Sequence, residues 1–304
     1  MKKIIIIITA SLFLCSCKKE VKDKNQKLNV VTTTSMITDL VKNIGGDAIE
    51  VKGLMGSGVD PHLYKASEGD VSKLVNADII FYNGLHLEGK LVEVFEKMES
   101  QDIKTIAIGE SLKKNTLIGS DYFASNYDPH IWFSVDNWKI ITSFVIKTLQ
   151  EIDPKNAEIF KTNGEVYLSK LTELERKLEA KIETLPKEKR ILVTAHDAFS
   201  YFGKAYDFNV VGLQGLSTAT EAGVQDVQKL ANFIIEKQVK AIFVESSVPK
   251  RTIEALQAAV KSKNHEVAIG GTLFSDALGN TGTKEGTYIG MFEYNVNTII
   301  NALK

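Results

Sequence analysis

Cysteine is nearly absent from this chain: its 304 residues include only Cys15 and Cys17. Everything after Cys17 lacks a thiol, so structural zinc clusters built on cysteine are excluded there. A transition-metal site in the body of the chain must therefore use nitrogen and oxygen ligands. A disulfide between the two cysteines is disfavoured because they lie two positions apart within a leader segment.

An excess of positive charge is also missing. The chain holds 37 Lys and Arg against 38 Asp and Glu, for a formal net charge of −1. Without Lys2 and Lys3, which lie in the leader, 35 basic residues remain against 38 acidic ones. Proteins that bind nucleic acids usually present a strongly basic surface. This composition therefore argues against a nucleic-acid partner.

A hydrophobic run long enough to span a bilayer comfortably is the third missing feature. The run from Ile4 to Leu14 is too short, which favours a signal peptide over residues 1–17. It ends in Leu14-Cys15-Ser16-Cys17, which resembles the lipobox of bacterial lipoproteins and fits Cys17 as the acylated residue better than Cys15. Residues 18–27 are polar and charged, as expected of a flexible tether. We therefore expect an extracytoplasmic chain, in the periplasm or at the cell surface, anchored to the membrane by lipid.

The most informative pattern that is present is a repeated tripeptide. Asp60-Pro61-His62 recurs as Asp128-Pro129-His130 in a chain with only five histidines. Proline fixes its own φ and keeps the preceding residue extended, so each loop presents its imidazole from a stiff support. Imidazole is the commonest metal ligand. One copy alone would more often be a surface turn, but two copies favour a buried transition-metal site.

Strand-like and helical segments alternate along the chain after residue 27, which predicts parallel sheets flanked by helices and an α/β fold class. The stretch from Val31-Thr32 to Gly53-Leu54 resembles that from Val193-Thr194 to Gly212-Leu213 in order and spacing. We interpret this as a duplication, with similar lobes over residues 28–152 and 187–304. Few residues are identical, so chance similarity is the alternative. Three strands are predicted in the second lobe, at Ile191–His196, Ala241–Glu245 and Val267–Gly270.

Residues 153–186 form the segment between the lobes. Apolar residues recur there every three or four positions and predict one continuous helix from about Pro154 to Leu185. Asp153 is the expected N-cap, and Gly164 is the expected weak point of the helix. A single helix is a stiff connector, so we expect small relative motions of the lobes and expect each lobe to be stable by itself.

Candidate ligands stand where the predicted strands end. His62 and His130 follow strands of the first lobe, His196 ends the first strand of the second lobe, and Asp276 follows its last strand. In open α/β sheets, ligands bind beyond the carboxyl ends of the strands, so these four would meet in the crevice between the lobes. Three imidazoles and one carboxylate suit Zn(II), and a bidentate carboxylate could raise the coordination number for Mn(II).

Three further residues are candidates for contacts around these ligands. Glu245 ends a predicted strand, where its carboxylate either holds a ligand imidazole in one tautomer or caps the next helix. Glu221 is a second candidate for the same supporting role. His86 follows a predicted strand, and we expect it at the edge of the pocket or behind a ligand rather than on the metal.

From about Leu28 to its C-terminus, the chain resembles the metal-specific solute-binding lipoproteins of zinc and manganese ABC transporters. The segments that carry the resemblance are Gly58–Tyr64, Asp128–Trp132, Thr194–Phe202, Gly212–Glu221, Phe243–Pro249 and Gly270–Gly290. The resemblance implies two α/β lobes joined by one rigid helix, with the metal clamped between them. The ligand pattern of the family falls on His62, His130, His196 and Asp276. We expect a monomer that captures Zn(II) or Mn(II) and delivers it to an ABC-type permease.

The resemblance leaves the identity of the metal open. Zinc-dedicated members often carry a histidine-rich loop before the second metal histidine, whereas residues 113–127 of this chain contain no histidine. Manganese members often have glutamate at the third ligand, where this chain has His196. The combination resembles a subgroup that takes both metals.

Two other functions are alternatives at this point. A zinc-dependent hydrolase would use three histidines and an open position to activate water. Against it, a fourth ligand closes the site, and no His-Glu-x-x-His motif is present. A role as a surface adhesin would be secondary, and the sequence specifies no partner for it.

Overall fold

The computed structural model describes residues 27–120 and 123–304. The predicted signal peptide, Cys17 and nearly all of the predicted tether lie outside these described residues. Within them, every helix is either too short or too polar to cross a membrane.

Among the described residues, the first lobe contains four strands and four α-helices. The strands are β1 (Leu28–Thr32), β2 (Ile49–Gly53), β3 (Ile79–Tyr82) and β4 (Lys104–Ala107), and the helices are α1 (Ser35–Gly45), α2 (Glu68–Val75), α3 (Val92–Ser100) and α4 (Val135–Ile152). All strand pairs are parallel, in the order β2-β1-β3-β4. Val30 and Val31 face opposite sides of the sheet and are both fully buried, which explains the continuous apolar sequence of β1.

Hydroxyl side chains mark the starts of three of these helices. Thr34 caps α1, Ser67 forms a capping box with Asp70 at α2, and Ser134 caps α4. Only residues 33 and 34 separate β1 from α1, so the capped start of this helix lies directly at the carboxyl edge of the sheet.

The second lobe repeats this plan. Its strands are β5 (Ile191–His196), β6 (Asn209–Gln214), β7 (Ala241–Glu245) and β8 (Ala268–Leu273). The helix between the lobes is α5 (Ala157–Ile182). The helices of the second lobe are α6 (Ser200–Tyr206), α7 (Val224–Glu236), α8 (Arg251–Lys261) and α9 (Tyr288–Leu303). β5 pairs with β6 and β7 pairs with β8, both in parallel, and β5 lies beside β7. The spatial order β6-β5-β7-β8 matches that of the first lobe.

The sequence similarity between the halves corresponds to strand pairing. Thr32 of β1 is paired with Gly53 of β2, and Thr194 of β5 is paired with Gly212 of β6. The predicted class of two similar α/β lobes with parallel sheets is therefore confirmed. The sequence pattern misses β6, because glycine has low strand propensity. Glycine is needed there, since a Cβ at Gly212 would lie 2.5 Å from the backbone nitrogen of Asp197.

The helix α5 joins the two lobes, after a 3₁₀ turn at Pro154–Asn156. Its 26 residues correspond to a length of about 39 Å. The side chain of Asp153 does not cap this helix as predicted; its Oδ2 instead accepts a hydrogen bond from Nδ2 of Asn156 at 2.6 Å. Gly164 is not a simple weak point, because a Cβ there would collide with Ile146 of α4.

One hydrophobic core runs through both lobes and α5. It includes Val30 and Ile37 of the first lobe, Leu171 of α5, and Phe243 and Phe292 of the second lobe. The expectation that each lobe is stable by itself does not fit this arrangement, because the two lobes share buried apolar contacts. A shared core favours a fixed relative orientation of the lobes.

Candidate metal centre

The four predicted ligands come together at the carboxyl ends of the strands of both lobes. His196 is the last residue of β5, Asp276 follows β8, and His62 and His130 lie on the two Asp-Pro-His loops. One nitrogen or oxygen from each residue lies within 4.8 Å of those from the other three. All four side chains are buried, with His62 the most exposed at 5%.

The imidazoles direct their Nε2 atoms at each other and at the carboxylate. Nε2 of His62 lies 3.3 Å from Nε2 of His130. Nε2 of His130 lies 3.6 Å from Oδ1 of Asp276, and Nε2 of His196 lies 3.3 Å from Oδ2 of the same residue. Both oxygens of Asp276 therefore face imidazole nitrogens, as a carboxylate that binds a metal through one or both oxygens would require.

Two of these buried atoms form no hydrogen bond with the described residues: Nε2 of His196 and Oδ1 of Asp276. Buried polar atoms nearly always have a partner. A cation bound among the four side chains would satisfy both atoms, so the donor set fits a divalent transition metal.

Asp128 orients the ring of His130. Its Oδ1 lies 2.8 Å from the backbone nitrogen of His130 and 2.8 Å from Nδ1 of the same residue. A carboxylate only accepts hydrogen bonds, so Nδ1 carries the proton and Nε2 keeps a free lone pair. His130 is thus held in the tautomer that a metal ligand needs.

Glu245 contacts His196 through both of its carboxylate oxygens. Its Oε1 accepts a hydrogen bond from the backbone N–H of His196 at 2.9 Å, and its Oε2 lies 2.6 Å from Nδ1 of the ring. Of the two alternatives for Glu245, the structure therefore shows the contact with a ligand imidazole. Both carboxylates leave the Nε2 side of their ring facing the centre of the cluster.

Burial and charge pull the pKa values of the cluster in opposite directions. Burial lowers the pKa of His62 to about 3. Burial also opposes protonation of His196, but the carboxylates of Asp276 and Glu245 hold its pKa well above 6.5. For Asp276, burial would raise the pKa, but His196 and the other imidazoles hold it well below its usual range. In the metal-free cluster, these opposing effects favour a protonated His196 beside an ionised Asp276.

Glu88 carries no distinguishing local signal in the sequence, yet it is buried behind the site. Its Oε1 accepts hydrogen bonds from Oγ1 of Thr33 at 2.7 Å and from the backbone of Asn83 at 2.8 Å, and its Oε2 accepts one from the backbone of Gly84 at 3.2 Å. Asn83 in turn donates to the carbonyl of Pro129 at 3.0 Å. This network links the ends of β1 and β3 to the loop of His130.

Hydrogen bonds between the lobes lie next to the cluster. Nε1 of Trp132 donates to the carbonyl of Ser275 at 2.9 Å. The hydroxyl of Tyr201 accepts from the backbone N–H of Ile118 at 3.1 Å and donates to the carbonyl of Asp128 at 3.0 Å. The residues that flank His130 and Asp276 are thus hydrogen-bonded to the opposite lobe.

The remaining two candidates occupy different places. His86 is exposed and lies at the edge of a cavity of about 130 Å³ that His62 and Phe123 also line. The ring of Phe123 lies edge-on to both histidines, with centroid distances of 6.4 Å to His62 and 6.2 Å to His86. Glu221 is not brought to the cluster: its side chain is 71% exposed and forms an ion pair with Arg251. A supporting role for Glu221 at the buried ligands does not fit this position.

Comparison with known proteins places this geometry in context. A family model described as "Zinc-uptake complex component A periplasmic" matches residues 30–302. The manganese-binding lipoprotein MntA of Bacillus subtilis (strain 168) is 46% identical over 300 residues, which cover 99% of this chain and 97% of that protein. The zinc-binding protein TroA of Treponema pallidum (strain Nichols) is 47% identical over 274 residues, covering 90% of this chain and 88% of that protein. The solved structure of the periplasmic zinc-binding protein TroA from Treponema pallidum has a TM-score of 0.89 at 47% identity and covers 91% of this chain and 99% of that chain.

Proposed function

The chain belongs to the family described as zinc-uptake complex component A, a family of solute-binding proteins of metal transporters, and from this premise we propose that it captures Zn(II) or Mn(II) between its lobes and delivers the ion to an ABC-type permease. The observation that carries the proposal is the convergence of three imidazoles and one carboxylate within 4.8 Å in a buried crevice. The family membership agrees with the resemblance seen in the sequence motifs.

In this proposal, His62, His130 and His196 bind the ion through Nε2, and Asp276 binds it through one or both oxygens. Monodentate binding gives four ligands, the usual number for Zn(II). Bidentate binding gives five and suits Mn(II) better. The relatives named above include one described as manganese-binding and one described as zinc-binding. We propose that the site accepts both ions and holds Zn(II) more tightly, as the general order of metal affinities predicts.

A binding protein is also the function that the geometry supports chemically. A hydrolytic zinc site keeps a position open for water and places a general base beside it. Here the fourth ligand occupies that position, and the neighbouring carboxylates of Asp128 and Glu245 are engaged with the rings of His130 and His196.

The remaining parts of the proposal concern location and assembly. Lipid attached at Cys17 would hold the chain at the outer face of a membrane, with residues 18–27 as a tether, residues 28–152 and 187–304 as the lobes, and residues 153–186 as the connection. A monomer suffices, because all four ligands come from one chain.

Metal titration tests the proposal. The chain from residue 18 onwards is stripped with a chelator and titrated calorimetrically with Zn(II) and with Mn(II). We expect one ion per chain, loss of tight binding in His196→Ala, and unchanged binding in the control His265→Ala, which removes a histidine outside the cluster. A wild-type chain without a tight site, or a His196→Ala chain that binds like the wild type, would contradict the proposal.

A further inference from the structure

The carboxylate of Asp60 joins the loop of His62 to the opposite lobe. Oδ1 of Asp60 accepts a hydrogen bond from the backbone N–H of His62 at 2.9 Å. Oδ2 of Asp60 accepts one from the hydroxyl of Thr218, at 2.6 Å and across 158 positions of sequence. Asp60 thereby joins a ligand loop of the first lobe to the segment that follows β6 in the second lobe.

The ring of His62 lacks the carboxylate contact that the rings of His130 and His196 have, so Asp60 supports His62 through its backbone alone. The rings of His130 and His196 each lie within 2.8 Å of a supporting carboxylate oxygen, of Asp128 and Glu245 respectively. In the described part of the chain, the ring of His62 forms no such pair with a carboxylate. His62 is also the most exposed of the four ligands.

The same loop also passes close to the second lobe at Gly58. Gly58 has a φ of +70°, and a Cβ built on it would lie 3.5 Å from the carbonyl oxygen of Ser246. The loop from Gly58 to His62 therefore passes close to the end of β7 and is hydrogen-bonded to the second lobe at Thr218. A displacement of the second lobe against this loop would therefore act on the position of His62.

Thr218 lies in a segment whose other residues a partner can reach. Its side chain is buried and faces Asp60, whereas its neighbours Gly215, Ala219 and Thr220 are exposed. The segment from Gly215 to Gly223, between β6 and α7, thus presents an accessible backbone outside and one buried hydroxyl inside. Movement of the accessible part would withdraw the hydroxyl from Asp60.

We propose that the Asp60–Thr218 hydrogen bond is a latch between the lobes that sets the rate of metal release through His62. The inference rests on the proposed function, since it takes the four clustered side chains as metal ligands. While the latch is closed, Asp60 holds the backbone of His62 and keeps its imidazole on the ion. When the segment from Gly215 to Gly223 moves, Asp60 loses its anchor and His62 is the first ligand to leave.

Rates of metal dissociation test the latch. Zn(II)-loaded wild type and variants of the chain from residue 18 onwards are mixed with excess chelator in a stopped-flow instrument. Thr218→Val keeps the side-chain volume but removes the hydroxyl, and we expect release about tenfold faster, the size typical of losing one hydrogen bond to a charged group. Thr218→Ser keeps the hydroxyl and should release at nearly the wild-type rate. Thr252→Val, which removes a hydroxyl hydrogen bond to Pro249 elsewhere in the second lobe, is the matched control and should also release at that rate.

A double-mutant cycle separates the latch from a general loss of packing. In an Asp60→Ala background, Thr218→Val should cause no further acceleration, because its partner is already gone. Equal release rates for wild type and Thr218→Val, or an undiminished effect of Thr218→Val in the Asp60→Ala background, would overturn the latch while leaving the metal site intact. A wild-type chain that holds no Zn(II) would instead overturn the proposed function, and the latch with it.

Discussion

In both Asp-Pro-His loops, Oδ1 of the aspartate accepts the backbone N–H of the histidine two residues later, at 2.9 Å for Asp60 and 2.8 Å for Asp128. This local turn follows from the tripeptide itself, because aspartate readily accepts from the backbone two positions on and proline holds the loop extended. Beyond this turn the loops differ. Asp128 uses the same oxygen to hold the ring of His130, whereas Asp60 uses its second oxygen to reach Thr218.

The difference arises from where each loop lies in the fold. Asp128 is fully buried, and its carbonyl is held by Tyr201. The loop of Asp60 lies at the boundary between the lobes, where its second oxygen meets the other lobe. Both loops thus contact the second lobe, but the carboxylate of Asp128 stays on its own histidine whereas that of Asp60 also bonds to the other lobe.

The largest expected effect is the loss of a ligand ring from either loop. His130→Ala and His62→Ala should each weaken Zn(II) binding by more than about a hundredfold, since even partners outside the coordination sphere contribute about 10–100-fold. The loss should be greater for His130→Ala, because its ring is already oriented before the metal arrives. Competition with a fluorescent chelator measures both affinities. Wild-type affinity in either variant would remove that histidine from the coordination set.

Removing the aspartates compares the loops directly. Asp128→Ala should weaken binding by about 10–100-fold, because it frees the ring and tautomer of His130. Asp60→Ala should cost less, about tenfold, because it releases only the backbone support of His62. Asp128→Asn, whose amide oxygen can still accept from Nδ1–H, is the control and should lose less affinity than Asp128→Ala. Equal losses in the two alanine variants would mean that the loops are supported in the same way.

The pH dependence separates His62 from His196. With a pKa near 3, His62 is neutral at ordinary pH, whereas the pKa of His196 lies well above 6.5 and its proton must leave when the metal binds. Zn(II) affinity should therefore decrease as pH falls below the pKa of His196, by about tenfold per pH unit for one displaced proton. Titration calorimetry in buffers of different ionisation enthalpy should detect the released proton near neutral pH.

Two results would contradict the expected pH dependence of Zn(II) affinity. An affinity that stays constant between about pH 7.5 and pH 5 would contradict a site built on titrating imidazoles. A decrease that begins only far below pH 6.5 would contradict the raised pKa of His196 specifically. Histidine ring resonances of the metal-free protein would show which of the rings titrates.

The smallest expected effect on affinity comes from the connecting helix. Gly164→Ala would force a methyl group against Ile146 and should destabilise the chain by about 1–3 kcal/mol, measured by denaturant unfolding without metal. Metal affinity should stay unchanged, because the added methyl group meets Ile146 of α4, which is not part of the metal cluster. A clear loss of affinity would show that the alignment of the lobes sets the ligand positions in addition to the loops.

Much of the fold follows from patterns within short segments. Alternation of strands and helices predicts the α/β class, and the similar spacing of the halves predicts the two lobes. The errors have local causes. β6 is missed because Gly212 stands within it, and α5 ends at Ile182, before the predicted Leu185. The buried Glu88 carries no signal, because its partner Thr33 lies 55 positions away.

The sequence alone predicted the four residues that the fold brings together: the histidines of the repeated Asp-Pro-His loops, His196 at a strand end and Asp276 after another. The prediction of these residues depends on short sequence motifs and on the general rule that binding residues lie at the carboxyl edge of a parallel sheet. Only the tertiary structure decided how each ligand is held. Asp60 meets Thr218 across 158 positions and Glu245 meets His196 across 49, so these contacts depend on how strands and lobes pack, which no local pattern records.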